Sequence, residues 1–155
     1  MPIIRNGAAP TESKTQAEEP LGAFTADLIS DAGGLTQFGA FTETLAPGSR
    51  SSIKHWHAQE DEMIYVLSGV VMLHEGDKEA RLHPGDAACF PAGAELGHCL
   101  ENDSTEPVTY LVIGTRAPVD VVTYPDHDRR LHFDRATQKR RYETLDSAPA
   151  DKPKP

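Results

Sequence analysis

Residues 54–69 read KHWHAQEDEMIYVLSG, and this stretch carries the strongest pattern in the chain. Alternate side chains of a strand share a face, so His55 and His57 point the same way and Trp56 points the other way. After a short turn, the next strand can bring Glu62 beside the two imidazoles. The pattern therefore predicts that two histidines and one carboxylate converge.

A further candidate ligand lies later in the chain. Residues 97–102 read GHCLEN and place His98 in another strand, with Leu100 on its face and Cys99 facing away. Three neutral imidazoles and one carboxylate suit Fe(II), Mn(II), Ni(II), Co(II) or Zn(II), whereas Mg(II) and Ca(II) prefer oxygen ligands. The ligand types narrow the metal to this group without naming one.

The choice of carboxylate stays open at this point. Glu60 and Asp61 stand beside Glu62, and Glu60 has the same strand parity if no turn intervenes. A single histidine in a strand is more often a surface or hydrogen-bonded residue than a ligand. A metal site is therefore indicated by the whole pattern rather than by any one residue.

The surrounding sequence indicates a series of short strands. Each is bounded by Gly, Pro, Asp, Asn or Ser, and turns such as Pro84-Gly85-Asp86 separate them. Many short strands with frequent turns are typical of an all-β sandwich or barrel. The predicted strands are 52–57, 62–67, 70–74, 79–82, 87–90, 97–101 and 108–114.

The flanking segments add a few elements. Residues 24–45 predict two strands separated by a turn at 31–34, and residues 119–124 predict one more. Residues 128–145 are rich in charge and form the best helix candidate, with its basic side chains solvated or clamped on the acidic body. The predicted organisation is a poorly ordered arm or edge segment at 1–20, a barrel at 21–125, and a helix and tail at 126–155.

The composition restricts the partners. The chain has 155 residues, which fits one domain, and 15 basic against 24 acidic residues give a formal charge of −9. This charge argues against nucleic acid and anionic membranes, so we expect a small-molecule partner. No apolar run approaches a membrane span, and the start MPIIRNGAAP lacks a signal peptide's apolar core. We therefore expect a cytoplasmic protein in which Cys89 and Cys99 stay free thiols.

The spacing of these residues resembles the two motifs of the cupin superfamily, G(X)5HXH(X)3-4E(X)6G and G(X)5PXG(X)2H(X)3N. The first matches Gly48, His55, His57, Glu62 and Gly69, and the second matches Gly85, Pro91, Gly93, His98 and Asn102. The intervals before His55 and His98 are longer than in the family pattern, and loops that precede strands absorb such insertions. The spacing to Gly69 favours Glu62 as the carboxylate.

This resemblance implies an all-β double-stranded β-helix, or jelly-roll barrel, that usually forms a homodimer. It also implies one divalent metal ion inside one end of the barrel, bound by His55, His57, Glu62 and His98. The remaining motif residues are expected to shape turns. Residues 115–128 resemble the tail of small bacterial single-domain cupins, many of which have no assigned activity, so the resemblance implies no particular reaction.

The expected lining of the barrel is mostly apolar. Strand parity places apolar side chains beside the metal ligands and leaves few polar candidates, each of which is more often a loop or surface residue. The apolar set is Ile64, Val66 and Leu100, with Phe90 or Tyr110 as an added aromatic, and the polar candidates are Tyr65, Glu95 and Arg116. The sequence assigns no catalytic acid or base.

Four protein ligands on an octahedral metal leave about two positions for water, dioxygen or substrate. We therefore expect a metal-dependent enzyme for a small organic molecule, with dioxygen-dependent cleavage slightly ahead of isomerisation or decarboxylation. Two alternatives remain open. One is a binding or sensing module without turnover, and the other is metal-independent epimerase or carbohydrate-type chemistry on the same barrel.

Overall fold

The predicted strands form three antiparallel sheets in the computed structural model, which describes residues 3–155. The strands are β1 Thr11–Lys14, β2 Phe24–Asp27, β3 Phe38–Leu45, β4 Trp56–His57, β5 Glu62–Ser68, β6 Val71–Glu75, β7 Lys78–Leu82, β8 Ala87–Phe90, β9 His98–Glu101, β10 Val108–Thr115, β11 Val119–Tyr124, β12 Arg129–Asp134, β13 Lys139–Glu143 and β14 Pro149–Ala150. A four-residue helix, α1, spans Ile29–Ala32, and a 3-10 turn spans Pro125–His127.

The strand order shows how distant segments meet. The six-stranded sheet has the order β1-β2-β3-β10-β5-β8, the five-stranded sheet β14-β13-β12-β11-β4, and the three-stranded sheet β7-β6-β9. Isolated bridges join Arg50 to Glu101 and His55 to His98, which connects β9 to the segment before β4. The all-β fold class predicted from the sequence is confirmed.

The hydrophobic core joins the six-stranded sheet to the three-stranded sheet. On β5, Ile64 and Val66 are 1% and 0% exposed, whereas Tyr65 and Leu67 are 41% and 46% exposed. This alternation is the period of two that a half-buried strand requires. The buried cluster comprises Leu45, Ile64, Val66, Val71, Phe90, Leu100, Val108, Tyr110 and Val112.

Two motif residues show why the turns need particular side chains. Gly69 has φ of +78°, and a Cβ at this position would lie 2.7 Å from the carbonyl oxygen of Pro107, so only glycine fits. The fully buried Asn102 amide donates to the carbonyl oxygens of Leu45 at 3.0 Å and Glu106 at 2.8 Å. The predicted role of these residues in turns is therefore confirmed.

The N-terminal arm contains a strand. β1 pairs antiparallel with β2, and the hydroxyl of Thr11 donates to Asp27 at 2.8 Å. The arm therefore follows the edge-segment alternative rather than the poorly ordered one. Met1 and Pro2, which the sequence analysis included in the arm, lie outside the described residues.

The C-terminal helix predicted for residues 128–145 is wrong. The segment forms the hairpin β12–β13, which continues the sheet from β11. Its turn is closed by the Thr137 N–H, which donates to Asp134 at 2.9 Å, and by Gln138 in the left-handed region. Charged residues give only a weak local preference for helix, and backbone pairing with the open edge of β11 outweighs it.

Most other strand bounds agree with the sequence to within one or two residues, but the first does not. Residues 52–57 were expected to form a continuous strand, whereas only Trp56–His57 pairs regularly. Within residues 3–155, both cysteines are free thiols, Cys89 exposed and Cys99 buried. No helix in that range has the length and apolar character needed to span a membrane.

Candidate metal centre

Backbone pairing brings together three separate segments. His55 and His98 exchange backbone hydrogen bonds of 3.2 and 2.9 Å across their bridge, and β4 positions His57 beside them. The ring centroid of His55 lies 5.1 Å from that of His57 and 5.0 Å from that of His98. Glu62, at the start of β5, completes what we call the His–Glu cluster: His55, His57, Glu62 and His98.

The donor atoms of this cluster are spaced closely. The carboxylate of Glu62 lies 3.6 Å from His98 Nε2 and 3.8 Å from His57 Nε2. The donor atoms of His55, Glu62 and His98 all lie within 4.8 Å of one another. Donors about 2.0–2.2 Å from one ion are at most about 4.4 Å apart. His55, Glu62 and His98 are therefore close to the spacing that a single transition-metal ion needs, and His57 adjoins them through Glu62.

Hydrogen bonds orient two of the histidines. His57 donates from Nδ1 to the buried carboxylate of Asp120 at 2.6 Å, and His55 Nδ1 donates to the carbonyl oxygen of Ile53 at 3.0 Å. Each bond places the proton on Nδ1 and leaves the Nε2 lone pair free to bind a metal. This carboxylate–histidine pair is the arrangement that supports many metal-bound imidazoles.

His98 fits a metal ligand in a different way. The residue is only 4% exposed, and neither ring nitrogen has a hydrogen-bond partner among the residues described. Its ring stacks on Phe90 with centroids 3.6 Å apart and planes 5° from parallel. A buried nitrogen without a partner costs free energy, so these atoms suit a ligand that binds them.

The electrostatics favour the ligand forms of His55 and Glu62, whereas the environment of His57 favours its protonated form in the absence of a cation. Burial, with the neighbouring His57, lowers the pKa of His55 to about 4. For Glu62, burial raises the pKa, but the neighbouring imidazoles lower it by more than burial raises it. The net effect is a lowered pKa, so the carboxyl is ionised. For His57, burial lowers the pKa, while the hydrogen bond to Asp120 and the charge of Glu62 raise it above its ordinary value.

The two competing carboxylates have other partners. Glu60 accepts from Arg135 at 2.5 Å and from the Ala117 N–H at 2.8 Å. Asp61 accepts from the Ala92 N–H at 2.8 Å. Glu60 does form a second close group with His57 and Asp120, but its charge is already engaged by a guanidinium.

A cavity of about 390 Å³ opens beside the cluster, within the size range of small-molecule sites. Of the side chains expected to line it, Ile64, Phe90, Leu100, Tyr110 and Arg116 do so, whereas Val66 is buried outside the lining. Its polar lining also includes residues that the sequence analysis did not select, among them Glu43, Ser51, Ser52 and Arg135.

Asp120 and Glu43 were not predicted from the sequence. Asp120 stands in a short strand far from the histidine motif, and no spacing rule connects the two. A signal for Glu43 was present, because it alternates with threonines and shares strand parity with Phe41 and Leu45. A charged residue on an inward face is a marker of function that parity alone can reveal.

The fold and the cluster together define a small β-barrel with a candidate metal site beside a ligand-sized cavity. Its cupin domain, residues 41–114, matches the family model of that name. A sugar phosphate isomerase of the cupin superfamily from Silicibacter pomeroyi is 30% identical, with a TM-score of 0.87 over 97% of both chains. The chain therefore belongs to the cupin superfamily, and its barrel is the jelly roll of that family.

Two further structures bear on the comparison. A protein from Acidithiobacillus ferrooxidans, provisionally named a sugar phosphate isomerase, is 31% identical with a TM-score of 0.80, over 91% of this chain and 88% of its own. A Thermotoga maritima protein described as a predicted oxalate decarboxylase is 19% identical with a TM-score of 0.61, over 74% and 99%, and shows the fold alone. None of the curated proteins matches this sequence.

Proposed function

We propose that this protein binds one divalent transition-metal ion through His55, His57, Glu62 and His98, and isomerises a phosphorylated sugar. The observation that carries the metal site is the pair of buried, unpartnered ring nitrogens of His98 beside the ionised carboxylate of Glu62. Three imidazoles and one carboxylate favour Fe, Mn, Zn, Ni or Co over Mg or Ca.

The choice of reaction depends on the relatives. The sequence alone ranked dioxygen-dependent cleavage slightly ahead of isomerisation. The two structures about 30% identical over nearly the whole chain are both named for sugar phosphate isomerisation, one of them provisionally. This shared name supports placing isomerisation ahead of dioxygen-dependent cleavage.

The cavity offers matching chemistry. A bound divalent ion would polarise a sugar carbonyl as a Lewis acid. Arg116 and Arg135 line the same cavity and supply guanidinium groups that suit phosphate. Each now pairs with a carboxylate, Arg116 with Asp31 and Arg135 with Glu60, and an incoming phosphate would compete for those pairs.

The test combines metal analysis with turnover. We would purify the protein without an affinity tag or added metal, measure its metal content, and assay a panel of three- to six-carbon aldose phosphates beside the unphosphorylated sugars. The proposal predicts about one metal per chain and interconversion of at least one aldose phosphate, lost in His98→Ala. His83→Ala, at an exposed histidine, is the matched control.

The other outcomes separate the remaining functions. Metal without turnover of any sugar phosphate would favour a binding module, and turnover by metal-free protein would favour metal-independent epimerase-type chemistry. Oxygen uptake with dicarbonyl or catechol compounds would favour a dioxygenase function. Any of these three results would contradict the isomerase proposal.

A further inference from the structure

A second ionisable group lies in the cavity wall, away from the His–Glu cluster. Glu43 lies two residues before the end of β3, paired in register with Tyr110 on β10. The buried hydroxyl of Tyr110 donates to the carboxyl of Glu43. We call these two residues the acid–tyrosine pair.

The pair is separated from the cluster along the sheet. Tyr110 is in register with Val66 on β5, four residues from Glu62, which is in register with Gly114. At about 3.3 Å per residue this offset corresponds to roughly 13 Å of strand. Glu43 and Glu62 nevertheless line the same cavity, and the charge of Glu62 still acts on the carboxyl of Glu43.

Glu43 also lines a second cavity, of about 450 Å³, whose walls include the C-terminal tail. Ser51 and Ser52 contribute to both cavities as well. The carboxyl therefore stands beside two spaces that solvent and a small molecule can occupy. Besides the acid–tyrosine pair, the charged and titratable groups that line these spaces are Glu19, Asp31, Arg50, Glu60, Glu62, His98, Cys99, Arg116, Tyr124, Arg135 and Lys152.

The surroundings make Glu43 a poor proton donor to water and a ready proton acceptor. Burial raises the pKa of Glu43 to about 7, the hydrogen bond from Tyr110 lowers it in part, and the charge of Glu62 raises it further. A group that titrates near neutral pH can both take and return a proton during turnover.

We propose that Glu43 is the proton-transfer residue of the isomerisation, with Tyr110 positioning its carboxyl. This inference rests on the proposed function. The C-2–H bond of the aldose breaks and its proton passes to a Glu43 oxygen, while its electron pair forms the C-1–C-2 double bond and the C-1–O-1 carbonyl pair moves onto O-1. The hydroxyl proton of O-2 moves to O-1, the electron pair it leaves forms the C-2–O-2 double bond, and the C-1–C-2 double-bond pair takes the proton back from Glu43 at C-1 to give the ketose. The step is redox-neutral and needs no co-reactant.

The test uses the metal-loaded full chain and the aldose phosphate that the wild type interconverts. Glu43→Gln keeps the side-chain volume and can still accept from Tyr110. We expect kcat to fall by at least about 100-fold while metal content and unfolding midpoint stay unchanged, since a proton-transfer group contributes roughly 10²–10⁴. The exchange of substrate hydrogen with deuterium from solvent should be lost together with kcat. Glu79→Gln, an exposed carboxylate, is the control.

Tyr110→Phe provides the second arm. Because the Tyr110 hydroxyl lowers the pKa of Glu43, its removal should shift the rise of kcat with pH to a higher pH. A merely structural role for the pair predicts no such shift. If Glu43→Gln fails to fold or to retain metal, the Tyr110→Phe variant tests the role of Glu43 instead. An unchanged pH profile of kcat in Tyr110→Phe would then overturn that role.

A third readout does not involve activity. Carbon-13 NMR of the metal-free protein should show a carboxyl titrating near pH 7 that is missing in Glu43→Gln. The absence of any such carboxyl would overturn the proposal. Turnover that Glu43→Gln retains within about threefold would overturn the role of Glu43 alone, whereas a metal-loaded wild type that interconverts no aldose phosphate would overturn the proposed function.

Discussion

The His–Glu cluster and the acid–tyrosine pair line one cavity but hold their ionisable groups differently. In the cluster, Asp120 orients His57, Phe90 stacks on His98, and burial keeps His55 neutral. In the pair, a hydroxyl is the only hydrogen-bond partner of the Glu43 carboxyl among residues 3–155, and the pKa rises to about 7. The first arrangement suits binding a cation, and the second suits exchanging a proton.

The largest effect should come from removing a cluster ligand. We expect His98→Ala to lower metal affinity by more than about 100-fold, because loss of a ligand should exceed the 10–100-fold cost of losing an outer partner. Competition with a chelator would measure this. Unchanged affinity in His98→Ala would show that the cluster does not hold the metal.

The next effect concerns the partner of a ligand. Asp120→Asn removes the charge that accepts the Nδ1 proton of His57, and we expect metal affinity to fall by about 10–100-fold. The same chelator competition applies. Glu143→Gln is a matched control, because Glu143 accepts from His132 at 2.8 Å in the C-terminal hairpin. Equal losses in both variants would indicate a general loss of stability instead.

The acid–tyrosine pair should appear in the pH dependence of stability. The folded-state pKa of Glu43, about 7, lies above its ordinary value of 4.5, so the folded protein binds the proton more tightly. The free energy of unfolding of the wild type should therefore fall relative to Glu43→Gln as pH rises from about 4.5 to about 7, by on the order of 3 kcal/mol. Urea unfolding of the metal-free proteins at several pH values measures this difference.

Metal loading then connects the two regions. The negative charge of Glu62 raises the pKa of Glu43, and a bound cation would offset that charge. The pH-dependent difference in unfolding free energy between the wild type and Glu43→Gln should therefore shrink in the metal-loaded protein. Parallel stability profiles for the wild type and Glu43→Gln in both forms would contradict the raised pKa. Glu79→Gln should follow the wild type throughout.

The smallest effect should come from the stacking residue. Phe90→Leu removes the ring that lies parallel to His98, and such aromatic pairs contribute about 0.5–1.5 kcal/mol beyond area burial. We expect metal affinity to weaken by roughly 2- to 12-fold, measured by isothermal titration with zinc. Phe133→Leu, in the C-terminal hairpin, is the control. A loss as large as that of His98→Ala would mean that Phe90 supports the barrel rather than the histidine.

The sequence was informative where local rules apply. The period of two along β5 placed Ile64 and Val66 inside, and the positive φ of Gly69 explains why its turn could be recognised. The spacing of the motif also brought His98 to the histidine pair although it stands far along the chain. These features depend on residue type and on distance in sequence, which is why they are readable without coordinates.

The sequence by itself determined the β-strands of the barrel, its turns and the four residues of the His–Glu cluster. Only the tertiary structure decided that residues 128–145 form a hairpin, because the open edge of β11 supplies backbone partners that outweigh a weak helix preference. The tertiary structure alone also decided that Asp120 is the hydrogen-bond partner of His57 and that Tyr110 is the partner of Glu43. Such contacts depend on which strands become neighbours, and strand neighbourhood is set by pairing between segments distant in sequence.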